Sequence, residues 1–334
     1  MNVDSVGDFF ASPLQLEAAA TLAERDGYDG IAVPETRHDA FIGLTLAAKA
    51  ATRIDLISSI AVAFARNPMT VAVQANDLQL ISQGRFHLGL GSQVKAHIER
   101  RFSMPWGKPA ARMEEFLTAV KAIWHSWETS AKLSFSGTFY QHTLMTEFFD
   151  PGPNPHGNPP ILLAAVGERM AEVAGRVADG MLCHSLTTEH YLKELTLPAL
   201  RRGRGDELND YAICLPVLAV LGATPSDRAT AEAAVRRQIA FYASTPAYRG
   251  VLDLHGWGEL HEKLNLLSRQ GSWDEMSGLI SDDVLDAFAV SGEPSAVAGE
   301  LRHRFGGMVT RLSLNTPYAV DPALIRTVAQ QVKA

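Results

Sequence analysis

The chain has 334 residues, of which 46% are hydrophobic and 20% charged, and carries a formal net charge of −7. This is the make-up of an ordinary globular protein able to bury a large core. Its acidic balance offers no basic face for nonspecific nucleic-acid binding. No apolar run approaches a membrane-spanning length, and the N-terminus does not read as a leader, so small molecules rather than nucleic acid or membrane are the expected partners. Cys183 and Cys214 show no pairing pattern and fit small buried hydrophobes in a reducing cytoplasm.

In chain order, strand-like and helix-like segments alternate. Asn2–Val6 reads as a strand, and Leu14–Arg25 as a helix opened by Ser12-Pro13. Gly30–Val33 and a helix from Ala40 to Ala51 follow. Ile54–Ala63 is a strongly apolar third strand, and the helix Pro68–Ile81 again starts on proline. Arg85–Leu90 is the fourth strand, then a basic connection and a helix from Ala110 to Trp127. Pro160–Val166 and the helix Glu168–Ala178 come next, then Gly180–His184 with a helix from Thr188 to Arg202. Tyr211–Leu221 is the seventh strand, and Thr310–Asn315 the eighth, before a last helix ending at Val332. Eight β-α repeats with two-sided apolar strands predict a closed α/β barrel of the TIM type over residues 1–334, in preference to an open sheet. Two stretches break the rhythm. Residues 135–160 form a Gly- and Pro-rich loop insertion with a small hairpin near Leu133–Tyr140. Residues 241–290 form a mostly helical insertion, and both are candidate lids at the C-terminal face.

Polar residues gather where strands end, the edge on which parallel α/β folds place chemistry. Glu35-Thr36-Arg37-His38-Asp39 closes the second strand. Either His38 is an exposed loop residue, or it exchanges protons with Glu35 or Asp39 beside it. Gly91-Ser92-Gln93 follows the fourth strand. Gly89-Leu90-Gly91 is only a fragment of a dinucleotide fingerprint, because Val94 stands at its third glycine. Lys95, Arg100, Arg101, Lys108 and Arg112 make either a solvated basic face or a docking surface for an anion. Val166-Gly167-Glu168-Arg169 turns the fifth strand into a helix, where free N–H groups suit phosphate and Glu168 opposes it. Tyr242, Ser244, Tyr248, Arg249, His255 and Trp257 form an aromatic-rich stripe that is either core or substrate contact. No metal-ligand pattern occurs: Val3, Asp4 and Ser5 stand where a barrel hydrolase would carry His-x-His.

The chain resembles the luciferase-like monooxygenase superfamily, and within it the deazaflavin-dependent oxidoreductases that use coenzyme F-420. The carriers are S-S-I-A-V-A-F-A-R-N-P, G-R-F-H-L-G-L-G-S, R-M-E-E-F-L-T-A-V-K-A-I-W, P-P-I-L-L-A-A-V-G-E-R-M and G-R-V-A-D-G-M-L, in family order over roughly residues 1 to 220. The resemblance implies a barrel, often a homodimer, holding a deazaflavin at its C-terminal face. Ser59 and Ile60 would back the ring on a bulged third strand, with a cis peptide or a bulge between them. Gly91, Ser92 and Gln93 would contact the ribityl and phosphate side, and Ala165, Val166, Gly167 and Arg169 would form the loop after the fifth strand. His38, Glu35 and Asp39 are the implied acid–base group, while Tyr248, Arg249, His255 and Trp257 are the expected substrate contacts. Two family features are missing. Glu35-Thr36 stands where the sugar-phosphate dehydrogenases have Asp-His, and Gln93-Val94 lacks their glutamate. The expectation is hydride transfer between coenzyme F-420 and a small organic substrate; an FMN-dependent monooxygenase or reductase, or a non-catalytic deazaflavin binder, are the alternatives.

Overall fold

A computed structural model describes residues 1–6, 8–205 and 208–334. Eight parallel strands form a closed barrel: β1 (Asn2–Val6), β2 (Gly30–Val33), β3 (Asp55–Ser58), β4 (Phe86–Gly91), β5 (Ile161–Ala164), β6 (Gly180–Leu182), β7 (Ala212–Val220) and β8 (Arg311–Asn315). Each strand pairs in parallel with the next, and β8 pairs with β1 through Asn2↔Arg311 and Val3↔Leu312, which closes the ring. The (β/α)8 expectation is met. Proline at the first helical turn recurs in the helices Pro13–Arg25, Pro68–Ser82 and Pro109–Thr129. There its missing N–H costs nothing, and Asn67 caps the second of these helices by accepting from Thr70 N–H at 2.9 Å.

The third strand departs most from its sequence reading. Instead of one run it is two, Asp55–Ser58 and Ala61–Val62, separated by a cis peptide between Ser59 and Ile60. Its ladder to β4 runs through Leu56↔Phe86 and Ile57↔His87, lapses, and resumes at Ala61↔Leu90. In the gap the Ser58 hydroxyl donates to Gly89 C=O at 2.9 Å and accepts Gly89 N–H at 2.8 Å, standing in for the missing ladder bonds. A Cβ on Gly89 would lie 1.6 Å from the Ser58 carbonyl oxygen, so only glycine fits there.

The insertion at 135–160 holds a two-stranded hairpin, Phe135–Ser136 with Gln141–His142. Glu115 pins it by accepting the N–H groups of Thr138, Phe139 and Tyr140. The segment 241–290, read as a candidate lid, is a packed helical unit. Its helices and the helix Pro225–Ala243 enclose a second apolar core containing Val235, Ile239, Leu252, Leu264, Leu285 and Phe288. It ends in a short strand, Ala289–Ser291, that pairs with Leu218–Val220 of β7, while β6 pairs only with Ala212–Cys214 lower down. The insertion therefore forms part of the wall between β6 and β7 at the barrel mouth. Among the described residues, no helix is long and apolar enough to cross a membrane.

Candidate active site

A cavity of about 630 Å³ opens at the C-terminal ends of the strands and descends into the barrel. Its volume falls within the usual range for small-molecule sites. One wall comes from β3, β4 and β5. The side chain of Ile60 borders the cavity, and a Cβ added to Gly91 would sit 2.9 Å from Ile60 Cδ1 and 3.4 Å from Ala164 Cβ. Glycine at 91 thus keeps this wall low and apolar. Ser92, Gln93, Val94 and Lys95 continue the lining above it, with Gln93 in the left-handed region at φ 60°.

The opposite wall rises from β6 and the helical insertion. His184 stacks on Tyr248 with ring centroids 4.3 Å apart and meets Tyr242 edge-on at 4.6 Å. Its Nδ1 accepts the Leu186 N–H at 3.0 Å, which places the proton of the neutral ring on Nε2. Burial pushes the imidazole down to about 4. Burial also raises the hydroxyls of Tyr242 and Tyr248, the latter to about 12, so both stay protonated donors. Ser185 and Asn315 complete this polar side, joined through Asn315 Nδ2 and Ser185 Oγ at 3.3 Å.

A stability prediction follows from His184. An unfolded imidazole titrates near 6.5, whereas the folded one titrates near 4. Above 6.5 both states are neutral and the group is without effect. As pH falls from 6.5 towards 4, the unfolded chain binds a proton that the folded chain refuses, so stability is lost across this window. The full loss is at most about 3 kcal/mol, less as water in the cavity solvates the ring. Urea midpoints measured from pH 7 to pH 4 should fall less steeply in His184→Asn; an unchanged slope would assign the acid sensitivity elsewhere.

The sequence-read candidates divide between the cavity and its surroundings. Ser59, Ile60, Gly91, Ser92, Gln93, Ala165, Val166 and Tyr248 line it, as does Glu35. Glu35, however, is committed: it accepts from Arg66 Nη1 at 2.8 Å and from Val62 N–H at 2.8 Å. Asp39 holds the other arm of Arg66 at 2.6 Å and caps the helix Ala40–Ala50, so it supports the wall from behind. His38 is exposed and outside the lining, because the chain turns outward after Thr36. Arg249 pairs with Asp253 and Glu262, and His255 bonds Thr188 and stacks on Trp257; all three side chains lie in the insertion, away from the cavity. Gly167 and Arg169 also fall outside the lining, though Gly167 opens the helix Glu168–Val177 at φ 78°. Glu168, whose charge opposed a phosphate there, is paired with Arg202 at 2.8 Å. Of the basic connection only Lys95 reaches the cavity. Arg112 is structural, bonding Tyr140 and Pro105 and lying over Phe64.

His184 and Asn315 did not stand out in the sequence, whereas Tyr242 was singled out as part of the aromatic-rich stripe and does line the cavity. The signal was present for His184: it closes the sixth strand, at the same edge as Glu35 and Gly91.

A barrel with a deep mouth cavity, an apolar wall and a facing cluster of protonated donors has the layout of a small-molecule site on a TIM-type fold. The family model of luciferase-like monooxygenases matches residues 10–311. The chain belongs to that family, and with it to a class of oxidoreductase and monooxygenase enzymes. It is 50% identical over 306 residues to an uncharacterized Mycobacterium tuberculosis protein, Rv1360, covering 90% of each chain. It is 26% identical over 318 residues to the 5,10-methylenetetrahydromethanopterin reductase of Archaeoglobus fulgidus, covering 92% of this chain and 91% of that one. Two solved structures share the fold. The coenzyme F-420-dependent tetrahydromethanopterin reductase of Methanopyrus kandleri superposes with a TM-score of 0.80 at 19% identity, covering 99% and 98% of the two chains. An F-420-dependent secondary alcohol dehydrogenase, in complex with an F-420–acetone adduct, gives 0.75 at 15% identity over the same shares.

Proposed function

We propose that the protein transfers hydride between coenzyme F-420 and a small organic substrate. The observation that carries this reading is the pair of opposed walls: Ile60, Gly91 and Ala164 on one side, His184 with Tyr242 and Tyr248 on the other. The apolar wall fits the face of a flat heterocycle, since any side chain at position 91 would fill that space. Relatives named as F-420-dependent enzymes support the choice of cofactor. When bound, the deazaflavin supplies the hydride carrier. Ile60 and Gly91 would shield one face of the ring, and the turn Ser92–Lys95 would meet its polar side chain, with Lys95 as the cation on that turn. His184 would present its Nε2–H to a substrate oxygen, and the hydroxyls of Tyr242 and Tyr248 would hold further protons beside it. Their burial excludes water and strengthens each of these hydrogen bonds.

On this reading the acid–base role falls to His184 rather than His38. His184→Ala should lower turnover about 100-fold with deazaflavin affinity within about threefold, while His38→Ala stays within about twofold of the parent. The reverse ranking would return the role to His38. Titrating the purified protein with F-420 and with FMN tests the cofactor: tighter binding of F-420, and its oxidation or reduction in the presence of a panel of carbonyls and alcohols, is expected. Tighter FMN binding would favour the flavin-dependent reading.

The same reading includes a homodimer. Ile42 on the helix Ala40–Ala50, and Val73, Leu80 and Ile81 on the neighbouring helix Pro68–Ser82, are exposed apolar side chains available to a second copy. Sedimentation at micromolar concentration should give twice the chain mass.

A further inference from the structure

The inward positions of a TIM-type barrel are normally filled by bulky branched side chains, which make its centre a packed core. Here the layer beneath the mouth is hollow. The active-site cavity passes His184 and Asn315 and reaches Ala32 on β2, Ile57 on β3, Leu182 on β6, Cys214 on β7 and Ser313 on β8. Register places Ala32 beside Ile57 and Leu182 beside Cys214. Ala32, Cys214 and Ser313 are small, and the space they leave belongs to the cavity.

The walls of this hollow are apolar. Ile57, Leu182 and Cys214 pack with Ala32 as a cluster of their own, separate from the core under the helices. Burial pushes the Cys214 thiol up, so it lines the space as an uncharged sulfhydryl, and Ser313 adds a hydroxyl. The bottom is closed by the Asp4–Arg311 pair, which also borders the cavity. Gly30 makes room for that pair: a Cβ there would sit 2.6 Å from Asp4 Oδ1 and 2.7 Å from Arg311 Nη2. Arg311 is held by both Asp4 and Asp55, so its positive charge already faces two carboxylates. An anion brought to this floor would lose its hydration and find that cation taken.

The hollow lies directly below the polar side of the site. Leu182 ends β6 two residues before His184, and Ser313 precedes Asn315 by two on β8, a strand repeat of about 6 Å. An oxygen bonded to His184 Nε2 would let the rest of a small molecule descend into apolar space. We propose that the hollow is a substrate subsite that takes a compact, uncharged apolar group, such as an aryl ring, attached to the reacting carbon of a ketone or alcohol. That its occupant is a substrate rests on the oxidoreductase reading above; its capacity to bind such a group does not.

Calorimetric titration of the intact protein with acetone and a set of acetophenones, with and without saturating F-420, tests the proposal. Acetophenone should bind at least about 10-fold more tightly than acetone, since it buries a ring where acetone buries a methyl group. The gain should survive saturation with F-420, whose ring is assigned to the separate wall of Ile60, Gly91 and Ala164. Cys214→Leu and Ala32→Leu each extend into the hollow and should remove most of the gain, with F-420 affinity within about threefold of the parent. If one variant does not fold, the other decides. A para substituent would reach the level of Asp4 and Arg311, so the anion 4-acetylbenzoate should bind at least about 10-fold more weakly than 4-nitroacetophenone, its uncharged isostere. The proposal is overturned if the parent shows no gain from the ring, if the gain disappears when F-420 is bound, or if it persists in either folded variant. Equal affinity for the last two ligands, or failure of both to bind, overturns it as well. If the gain is present and variant-sensitive but F-420 neither binds nor turns over with these ketones, the subsite stands and the oxidoreductase reading fails.

Discussion

Replacing Arg311 with methionine should cost about 3–5 kcal/mol of folding stability, the largest loss expected from any single change outside the close-packed glycines. Arg311 begins β8 and points into the barrel, where its side chain is only 7% exposed and that of its partner Asp4 5%. It grips Asp4 with two bonds, Nε to Oδ2 at 2.9 Å and Nη2 to Oδ1 at 2.6 Å, and reaches Asp55 with Nη1 at 2.7 Å. Three strands, β1, β3 and β8, are therefore tied across the floor of the barrel by one guanidinium. Burial raises the Asp4 carboxyl and Arg311 opposes that rise, so removing the arginine leaves a buried acid that must either stay charged alone or take up a proton. Methionine keeps much of the volume, which limits the cavity contribution. Urea unfolding at pH 7 checks the value. A double variant, Asp4→Leu with Arg311→Met, should recover part of the loss, because it removes the stranded carboxyl together with its partner. A loss below about 1 kcal/mol in Arg311→Met would show that the network adds nothing beyond its packing.

That network marks one limit of reading the chain as sequence. Strands with two buried faces announce themselves as apolar runs, and proline-led helices announce their starts, so the barrel was legible from Asn2 to Asn315. Asp4, Asp55 and Arg311 are charges inside three of those strands. Nothing in their local sequence says that they meet, because the meeting is made by closure of the ring. The third strand shows a subtler limit. Its apolar run continues to Ala63, but the Ser58 hydroxyl takes over the hydrogen bonds of Gly89 and splits the ladder. Small residues at 58 and 59 hinted at a bulge; the cis bond itself came from the resemblance alone.

The site was legible on one side only. Gly91, Ser92 and Gln93 were read as the polar end of the fourth strand and Ile60 came from the resemblance alone; all four line the cavity. Arg249, His255 and Trp257 were expected at the substrate because aromatics and ionisable groups crowd that stretch. The helical insertion has a core of its own, and its burial requirement took these side chains: Trp257 packs near Phe288, and Arg249 pairs along its own helix and onto the next. Only Tyr242, Ala247 and Tyr248 of the segment remain for the cavity. Where an insertion must stabilise itself, composition alone does not separate its core from its working face.

Gly91→Val should abolish deazaflavin binding while leaving the fold intact, and this is the sharpest test of where the cofactor lies. The nearest atoms to a Cβ at position 91 are Cδ1 and Cγ1 of Ile60, at 2.9 and 3.1 Å. These are the far end of a side chain that borders the open cavity, so Ile60 can rotate aside and the backbone need not move. The thermal midpoint should therefore change by no more than a few degrees. The valine methyls and the displaced Ile60 would then occupy the space assigned to the ring. An affinity loss of about 100-fold or more is expected, which corresponds to about 2.7 kcal/mol. Gly89→Ala, two residues earlier on the same strand, is the opposite case. Its Cβ meets the Ser58 backbone oxygen, which cannot yield without parting β3 from β4, so that variant should lose its fold rather than its ligand. Folded Gly91→Val protein that still binds F-420 with parental affinity would place the ring away from the Ile60–Gly91–Ala164 wall, and with it would go the orientation that puts His184 across from the reacting face.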